Sequence, residues 1–186
     1  MSDWFETLDG LHDRMWQRLS RGVADRKSPA RQPTFATVGA DGWPEARTVV
    51  LRTAQRDTAT LEVYTDLHSD KITSLRKTPR AALHIWEDKQ NLQIRLQCAV
   101  TILTGETVRD RWNPIPERGR MSYGVTPAPG TPLGDDALAY DKDPDFATFA
   151  VLSCVIQRID LVHLGCDHRR AAYARVNDWQ GQWLSP

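Results

Sequence analysis

The sequence predicts a mainly β protein, an antiparallel barrel of six to eight strands with helices at its periphery. Two observations carry that prediction. From residue 34 onward, short runs of alternating or β-branched residues follow one another closely. They are separated by turn residues more often than by helix-length segments, the pattern of strands that pair with near neighbours in the chain. At 186 residues the chain is long enough for one hydrophobic core, and residues 1–186 are expected to form a single domain.

The first segment, within 1–22, reads as an amphipathic helix. Trp4, Leu8, Leu11, Met15 and Leu19 recur every three or four residues, and Asp3 with Glu6 gives a capping-box-like start. RGVADRKSPARQP is a polar connector. TFATVG (34–39) alternates as a strand, and GADGWP supplies a tight turn. EARTVVLRT is the second strand and TLEVYT (60–65) the third, joined by the polar stretch AQRDTA. HSDKITSLRKTP reads as a short helix ended by Pro79, with Ile72 and Leu75 facing inward. RAALHIW (80–86) and LQIRLQCAVTIL (92–103) are further strands, and ETVRDRW a small helix.

Residues 113–144 are rich in proline and glycine. They are expected to form an ordered irregular loop, a lid or dimer contact, because they carry Met121, Tyr123 and Leu133. FATFAVLSCVIQRIDLVHLG is long enough for two strands or one bent strand, and AAYARV and QGQWLSP close the chain. Seven tryptophans are available to cover a flat ligand or a subunit interface.

Composition excludes several functions. Twenty-four basic residues balance 24 acidic ones, against the cationic excess that nucleic-acid binding relies on. No apolar run approaches the roughly 20 residues of a membrane helix. MSDWFETLDG lacks the apolar core of an export signal. Cys98, Cys154 and Cys166 are scattered and odd in number, which fits a reducing cytoplasm. There is no GxGxxG, no GxxxxGK[ST] and no GxSxG, and none of the five histidines forms HxH or HxxxH.

What remains is a pattern of cations. Arg47 and Arg52 bracket RTVVLR and should point to opposite faces unless a bend or bulge intervenes. Ser69 and Lys71 open a helix, where free amides and the dipole favour an anion. Arg47, Ser69 and Lys71 together suit a dianionic phosphate.

The order RTVVLR, VYTD, SDK, TPRAAL and LQIRLQ resembles the pyridoxamine 5'-phosphate oxidase family of FMN-binding split barrels. That family shows an Arg-x-Val-Leu-Leu-Lys strand, a Tyr-Thr strand end, Ser-Arg-Lys opening a helix, and an Arg-Gln-Val strand. The resemblance covers residues 34–105 and resumes in HRRAAYARVNDWQGQWLSP. It implies an FMN-binding split barrel and an FMN-dependent oxidoreductase acting on a small molecule. It also implies a homodimer with flavin at the interface.

By the same resemblance, Arg47, Ser69 and Lys71 would hold the ribityl phosphate, with Asp70 between them. Thr48, Val49, Val50, Leu51 and Arg52 would flank the isoalloxazine, and Tyr64 and Thr65 would line the ribityl path. Gln93 would bond the flavin edge, and Arg170 would reach the cofactor from the carboxy-terminal strand.

The departures bear on substrate. Asp70 replaces an arginine, Arg52 stands for a substrate-contacting lysine, and CDHRR replaces Arg-Leu-His-Asp-Arg. His168 and Arg170 fit that last motif, but Cys166 cannot grip a phosphate. Arg118 or Arg120 would have to replace a missing loop contact. The alternative reading is a non-catalytic flavin- or haem-binding protein, with His163 or His168 as an axial ligand.

Overall fold

The protein is described by a computed structural model covering residues 3–186. Its strands are β1 (Thr34–Val38), β2 (Pro44–Thr48), β3 (Leu51–Gln55), β4 (Thr60–Asp66), β5 (Arg80–Glu87), β6 (Leu92–Thr104), β7 (Val125–Thr126), β8 (Asp141–Lys142), β9 (Phe149–His163), β10 (Arg169–Ala174) and β11 (Gly181–Leu184). The helices are α1 (Leu8–Ala24), α2 (Asp70–Lys77), α3 (Arg109–Trp112) and α4 (Glu117–Arg120).

Nine strands form one antiparallel sheet in the order β11-β10-β9-β6-β5-β1-β2, with β4 also paired to β9 and β3 to β4. The sheet closes on itself because β2 and β3 belong to one run of sequence. At Val49–Val50 the run leaves the ladder, so the barrel is joined there through the chain rather than through strand hydrogen bonds. The class is the expected one, but the strand count exceeds six to eight. EARTVVLRT divides in two at that bend, and QGQWLSP contributes an edge strand. FATFAVLSCVIQRIDLVHLG resolves into a single strand, β9, of 15 residues. Its first half pairs β4 on one side and β6 on the other, and its second half pairs β6 and β10.

Alternation builds the core. Ala81, Leu83 and Ile85 of β5, and Leu92, Ile94, Leu96, Cys98 and Val100 of β6, point inward and are buried. Helix α1 covers the barrel with Leu11, Met15, Trp16 and Leu19, each worth about 1.5–3 kcal/mol of burial. Its start lies further along than Asp3 and Glu6 suggested. Thr7 is the N-cap, its Oγ1 accepting from the Gly10 amide at 3.0 Å. Asp3 and Glu6 instead close a separate turn through Asp3 N to Glu6 Oε2 at 3.0 Å. Residues 1–2 of the expected helix lie outside the described residues.

Two long-range polar contacts hold α1 in place. Arg31 Nη1 donates to Val23 O at 2.7 Å and to Leu51 O at 3.3 Å, joining the helix end to β3. Arg18 pairs with the buried Glu87 at the end of β5, Nη2 to Oε2 at 2.5 Å.

The segment 113–144 contains α4 and the β7–β8 hairpin. A second apolar cluster anchors it. Trp112, Tyr123 and Phe146 pack around Phe149, with ring centroids 5.0–6.5 Å from it.

One broad face of the sheet carries no helix. Register aligns Thr48, Thr34, His84, Arg95, Asp160, Ala172 and Gln182 in one row across it. The adjoining rows bring Ala36, Ala46, Ala82 and Ala174 to the same face. Gln97 and Arg158 share the alanine row, so the face alternates small side chains with long polar ones.

Candidate cofactor site

The strand β2 places Glu45 and Arg47 two residues apart on its inward side, facing α2. Glu45 Oε2 accepts from Arg47 Nη2 at 2.7 Å, Ser74 Oγ at 3.0 Å and Thr37 Oγ1 at 3.2 Å. Arg47 Nη1 also donates to Thr37 Oγ1 at 2.6 Å. One carboxylate thus fixes the guanidinium and fastens β2 to β1 and α2.

Helix α2 starts at Ser69, whose Oγ turns back to Asp66 O at 2.7 Å instead of capping an amide of its own helix. Its first-turn amides are therefore not occupied by that hydroxyl. Lys71 Nζ donates to Thr65 Oγ1 at 2.9 Å, and Thr65 Oγ1 lies 3.1 Å from Ser69 Oγ. Among the described residues no carboxylate is in ion-pair range of Lys71 Nζ. Burial lowers the Lys71 pKa, and the neighbouring Arg47 cation lowers it further. Arg47 and Lys71 are thus neighbouring cations, their repulsion partly offset by Asp70 and Asp66, and an anion between them would relieve it.

Arg47 and Arg52 do diverge. Between Leu51 and Thr53 the β3–β4 register slips by one, leaving Arg52 as the extra residue of a bulge. Its guanidinium lies over the Tyr64 ring at 5.5 Å, and its Nε is buried without a protein partner. Burial pushes the phenols of Tyr64 and Tyr123 up, and the Arg52 cation partly offsets this in both. Tyr64 and Thr65 are consecutive in β4, so the Arg52–Tyr64–Tyr123 group and the Thr65–Lys71 group lie on opposite faces of that strand. Thr48 is exposed, whereas Val49 and Leu51 are buried against the core.

Residues 13–104 match the pyridoxamine 5'-phosphate oxidase, FMN-binding domain. The chain belongs to that family. A relative from Arabidopsis thaliana, pyridoxine/pyridoxamine 5'-phosphate oxidase 2, is 26% identical over 176 residues, covering 86% of this chain and 88% of that protein. The pyridoxine/pyridoxamine 5'-phosphate oxidase of Microcystis aeruginosa is 32% identical over 90 residues, 48% of this chain and 41% of that protein. A pyridoxamine 5'-phosphate oxidase-related, FMN-binding protein from Nostoc punctiforme superposes with a TM-score of 0.75 at 23% identity, covering 94% of this chain and 96% of that one. PhzG from Burkholderia lata gives 0.71 at 20% identity, covering 94% and 91%. These two structural likenesses establish the split-barrel fold.

In this family member the remaining predicted residues stand apart from the phosphate-like pocket. Gln93 and Arg170 lie on the open sheet face, in one row through Val162. Gln93 Oε1 is 3.4 Å from His84 Nε2. Arg170 forks onto Asp160, Nη2 to Oδ2 at 2.9 Å, and Arg95 reaches the same oxygen at 2.6 Å. His168 is exposed in the β9–β10 turn. Arg120 is engaged in the loop, donating to Asn113 O at 2.9 Å with its guanidinium over Trp112 at 5.0 Å. His163 is buried and stacks on Phe5, with centroids 4.2 Å apart. Among the described residues no group of three or more His, Cys, Asp or Glu could hold a metal ion. No helix of the described residues is long and apolar enough to cross a membrane.

Sequence reasoning missed Glu45 and Asp66. Glu45 was legible as the i, i+2 partner of Arg47 on one strand face. Asp66 is buried and accepts from His68 N at 2.8 Å and from Gly124 N at 2.9 Å, tying the long loop to the β4–α2 turn. The first of those bonds follows from an Asp-x-x pattern at a strand end. The second depends on a loop 58 residues away and has no local signal.

Glu45 also sets a pH dependence. The Arg47 guanidinium first, then Ser74, holds its carboxyl below the usual range. A carboxyl depressed on folding stabilises above its unfolded pKa, and that stabilisation fades as pH falls through the lower folded value. The variant Glu45→Gln is expected to unfold at a lower temperature than wild type at neutral pH. The gap should close below the ordinary carboxyl range. Thermal unfolding at stepped pH checks this; a gap constant down to strong acid would refute it.

Proposed function

We propose that the protein binds FMN and works as an FMN-dependent oxidoreductase on a small molecule. The observation that carries this reading is the half-buried Lys71 ammonium, held by Thr65 beside Arg47 and lacking a carboxylate partner. A ribityl phosphate supplies that charge, received by Arg47, Lys71 and the amides that open α2. Bound flavin supplies hydride transfer between substrate and a second acceptor or donor. The protein's part is positional: Arg47 and Lys71 hold the phosphate, and the half-exposed Val50 at the bend gives an apolar contact. Arg52 brings a cation beside Tyr64.

The working unit in this proposal is a homodimer. Gln93 and Arg170 lie on the open face, not in the Arg47 pocket, so one chain does not gather the whole set. A second copy against the open sheet face brings its own Gln93 and Arg170 to this chain's flavin.

The substrate is proposed to differ from pyridoxine or pyridoxamine 5'-phosphate. Arg120 is committed to the loop, and Cys166 stands where the resemblance expects an arginine. The same facts favour a second reading, flavin binding without turnover. The absorption spectrum of freshly purified protein tests the cofactor: flavin bands are expected. A protein that carries no flavin and takes up none on titration refutes the reading, and a Soret band redirects it to haem. Reduction of bound flavin by a nicotinamide, with reoxidation by an added acceptor, separates turnover from mere binding.

A further inference from the structure

Helix α1 meets the carboxy-terminal hairpin through a histidine. The His12 ring centroid lies 5.1 Å from that of Tyr173 on β10 and 6.4 Å from that of Trp179 in the β10–β11 connection. One turn along the helix, Trp16 Nε1 donates to His12 Nε2 at 3.3 Å. An indole nitrogen can only donate, so His12 Nε2 must be an unprotonated acceptor. The contact therefore requires a neutral imidazole. On protonation both ring nitrogens become donors, and the bond is lost.

The hairpin beside this ring is strained. Asp178 (φ 51°) and Trp179 (φ 61°) are consecutive non-glycine residues in the left-handed region. Bulky side chains keep that conformation only where their surroundings enforce it. Trp179 N donates to Ala174 O at 3.1 Å, and its side chain packs against the core next to His12. Just beyond, Gly181 passes so close to α1 and β10 that an added Cβ would stand 2.6 Å from the Tyr173 ring and 3.1 Å from Leu8 Cβ. Tyr173 is buried, and its hydroxyl donates to Leu8 O at 2.7 Å. Strand β11 is the sheet edge, with β10 as its neighbour. Its hold on the barrel thus depends on that pairing and on the fit against α1.

We propose that His12 is a pH-sensitive latch: neutral, it seats Trp16 and Trp179 and keeps the β10–β11 turn and β11 docked on α1; protonated, it releases them. Arg56, from the β3–β4 turn, opposes a second cation at the ring, while Asp9 and Asp13 of α1 favour one. Asp13 is already paired with Arg56. From β10 the ring is faced by Tyr173, whose phenol is pushed up by burial and stays neutral. In the turn, Asp178 is exposed, and Arg175 donates to Thr58 O at 3.1 Å. Burial first, then Arg56, holds the His12 pKa below its ordinary 6.5. A histidine depressed in this way stabilises the docked form above its free value, and that stabilisation fades as pH falls through the lower docked value. The device uses this chain's own residues and does not rest on the flavin reading.

Hydrogen exchange of the full chain from about pH 7.5 to about pH 5.5, followed by mass spectrometry and corrected for the intrinsic pH dependence of exchange, tests the latch. Protection of residues 175–184 should fall several-fold, to a limit of about tenfold one unit below the free histidine value, because one proton is taken up. Protection of β6 should stay constant. His12→Gln, whose amide oxygen still accepts from Trp16 and does not titrate, should keep the hairpin protected throughout. His163→Gln should leave the transition in place, since His163 packs on Trp4 and Phe5. The proposal fails if residues 175–184 stay protected in acid, or if β6 loses protection in parallel, which is global unfolding. It fails equally if His12→Gln opens as the wild type does, or if His163→Gln abolishes the transition. Should His12→Gln be unprotected already at neutral pH, nuclear magnetic resonance titration of the wild-type His12 ring decides. A ring that titrates below its ordinary value together with the hairpin supports the latch, and one that titrates apart from it overturns the assignment.

Discussion

The double variant Arg47→Ala, Lys71→Ala is expected to bind FMN more weakly by at least about 2 kcal/mol, because charge-assisted contacts to a phosphate are lost. That corresponds to roughly a thirtyfold rise in Kd. Each residue is held by other groups, so the change should be local. Glu45 keeps Ser74 and Thr37 as donors when Arg47 is removed. Thr65 keeps Ser69 when Lys71 is removed. Flavin titration followed by fluorescence quenching measures the effect, and riboflavin serves as the control. Riboflavin carries no phosphate, so its affinity should change little between wild type and the double variant. Equal FMN affinity in the two proteins would show that these cations are not the phosphate shell.

Arg18→Ala is expected to be the most destabilising single substitution among the polar residues, at about 3–5 kcal/mol. The Glu87 carboxylate sits at 1% exposure with Arg18 as its ion-pair partner. Removing the guanidinium leaves a charge buried and unpaired at the junction of α1 and β5. In the intact pair, Glu87 Oε1 and Arg18 Nε already lack protein partners, so the ion pair is itself imperfectly satisfied. Replacing both residues by leucine should therefore recover most of the lost stability. Urea unfolding of the wild type, Arg18→Ala and the double variant measures this. A double variant as unstable as Arg18→Ala would mean that the cost lies in lost packing of the arginine stem and not in the stranded charge.

Much of this architecture was legible in the sequence because the relevant signals are local. TLEVYT, RAALHIW and LQIRLQCAVTIL alternate or cluster β-branched residues, and each matches a strand to within a residue at its start. Ser69 and Lys71 were legible together because they fall within one strand-to-helix turn; Arg47 joined them by charge, and Thr65 by resemblance. The division of EARTVVLRT was not legible. A bend with no glycine or proline depends on the barrel closing around it, and so does the bulge at Arg52. Periodicity also misplaced the start of α1, because Trp4 continues the apolar spacing although its backbone belongs to the preceding turn. Which side chains are already occupied was the hardest to see. Arg170 and Arg120 read as available cations, and only tertiary structure supplies Asp160 and the loop carbonyls that engage them.

The central position of β9 has a kinetic consequence. It begins at Phe149 and is the strand that joins β4 to β6, so a growing chain has made four-fifths of its length before the ring can shut. Until then two long edges stay unpaired, the kind of surface that invites association with other nascent chains. Maturation of this protein should accordingly be slow and chaperone-sensitive, with β9 and the strand that follows it along its second half acting as the keystone.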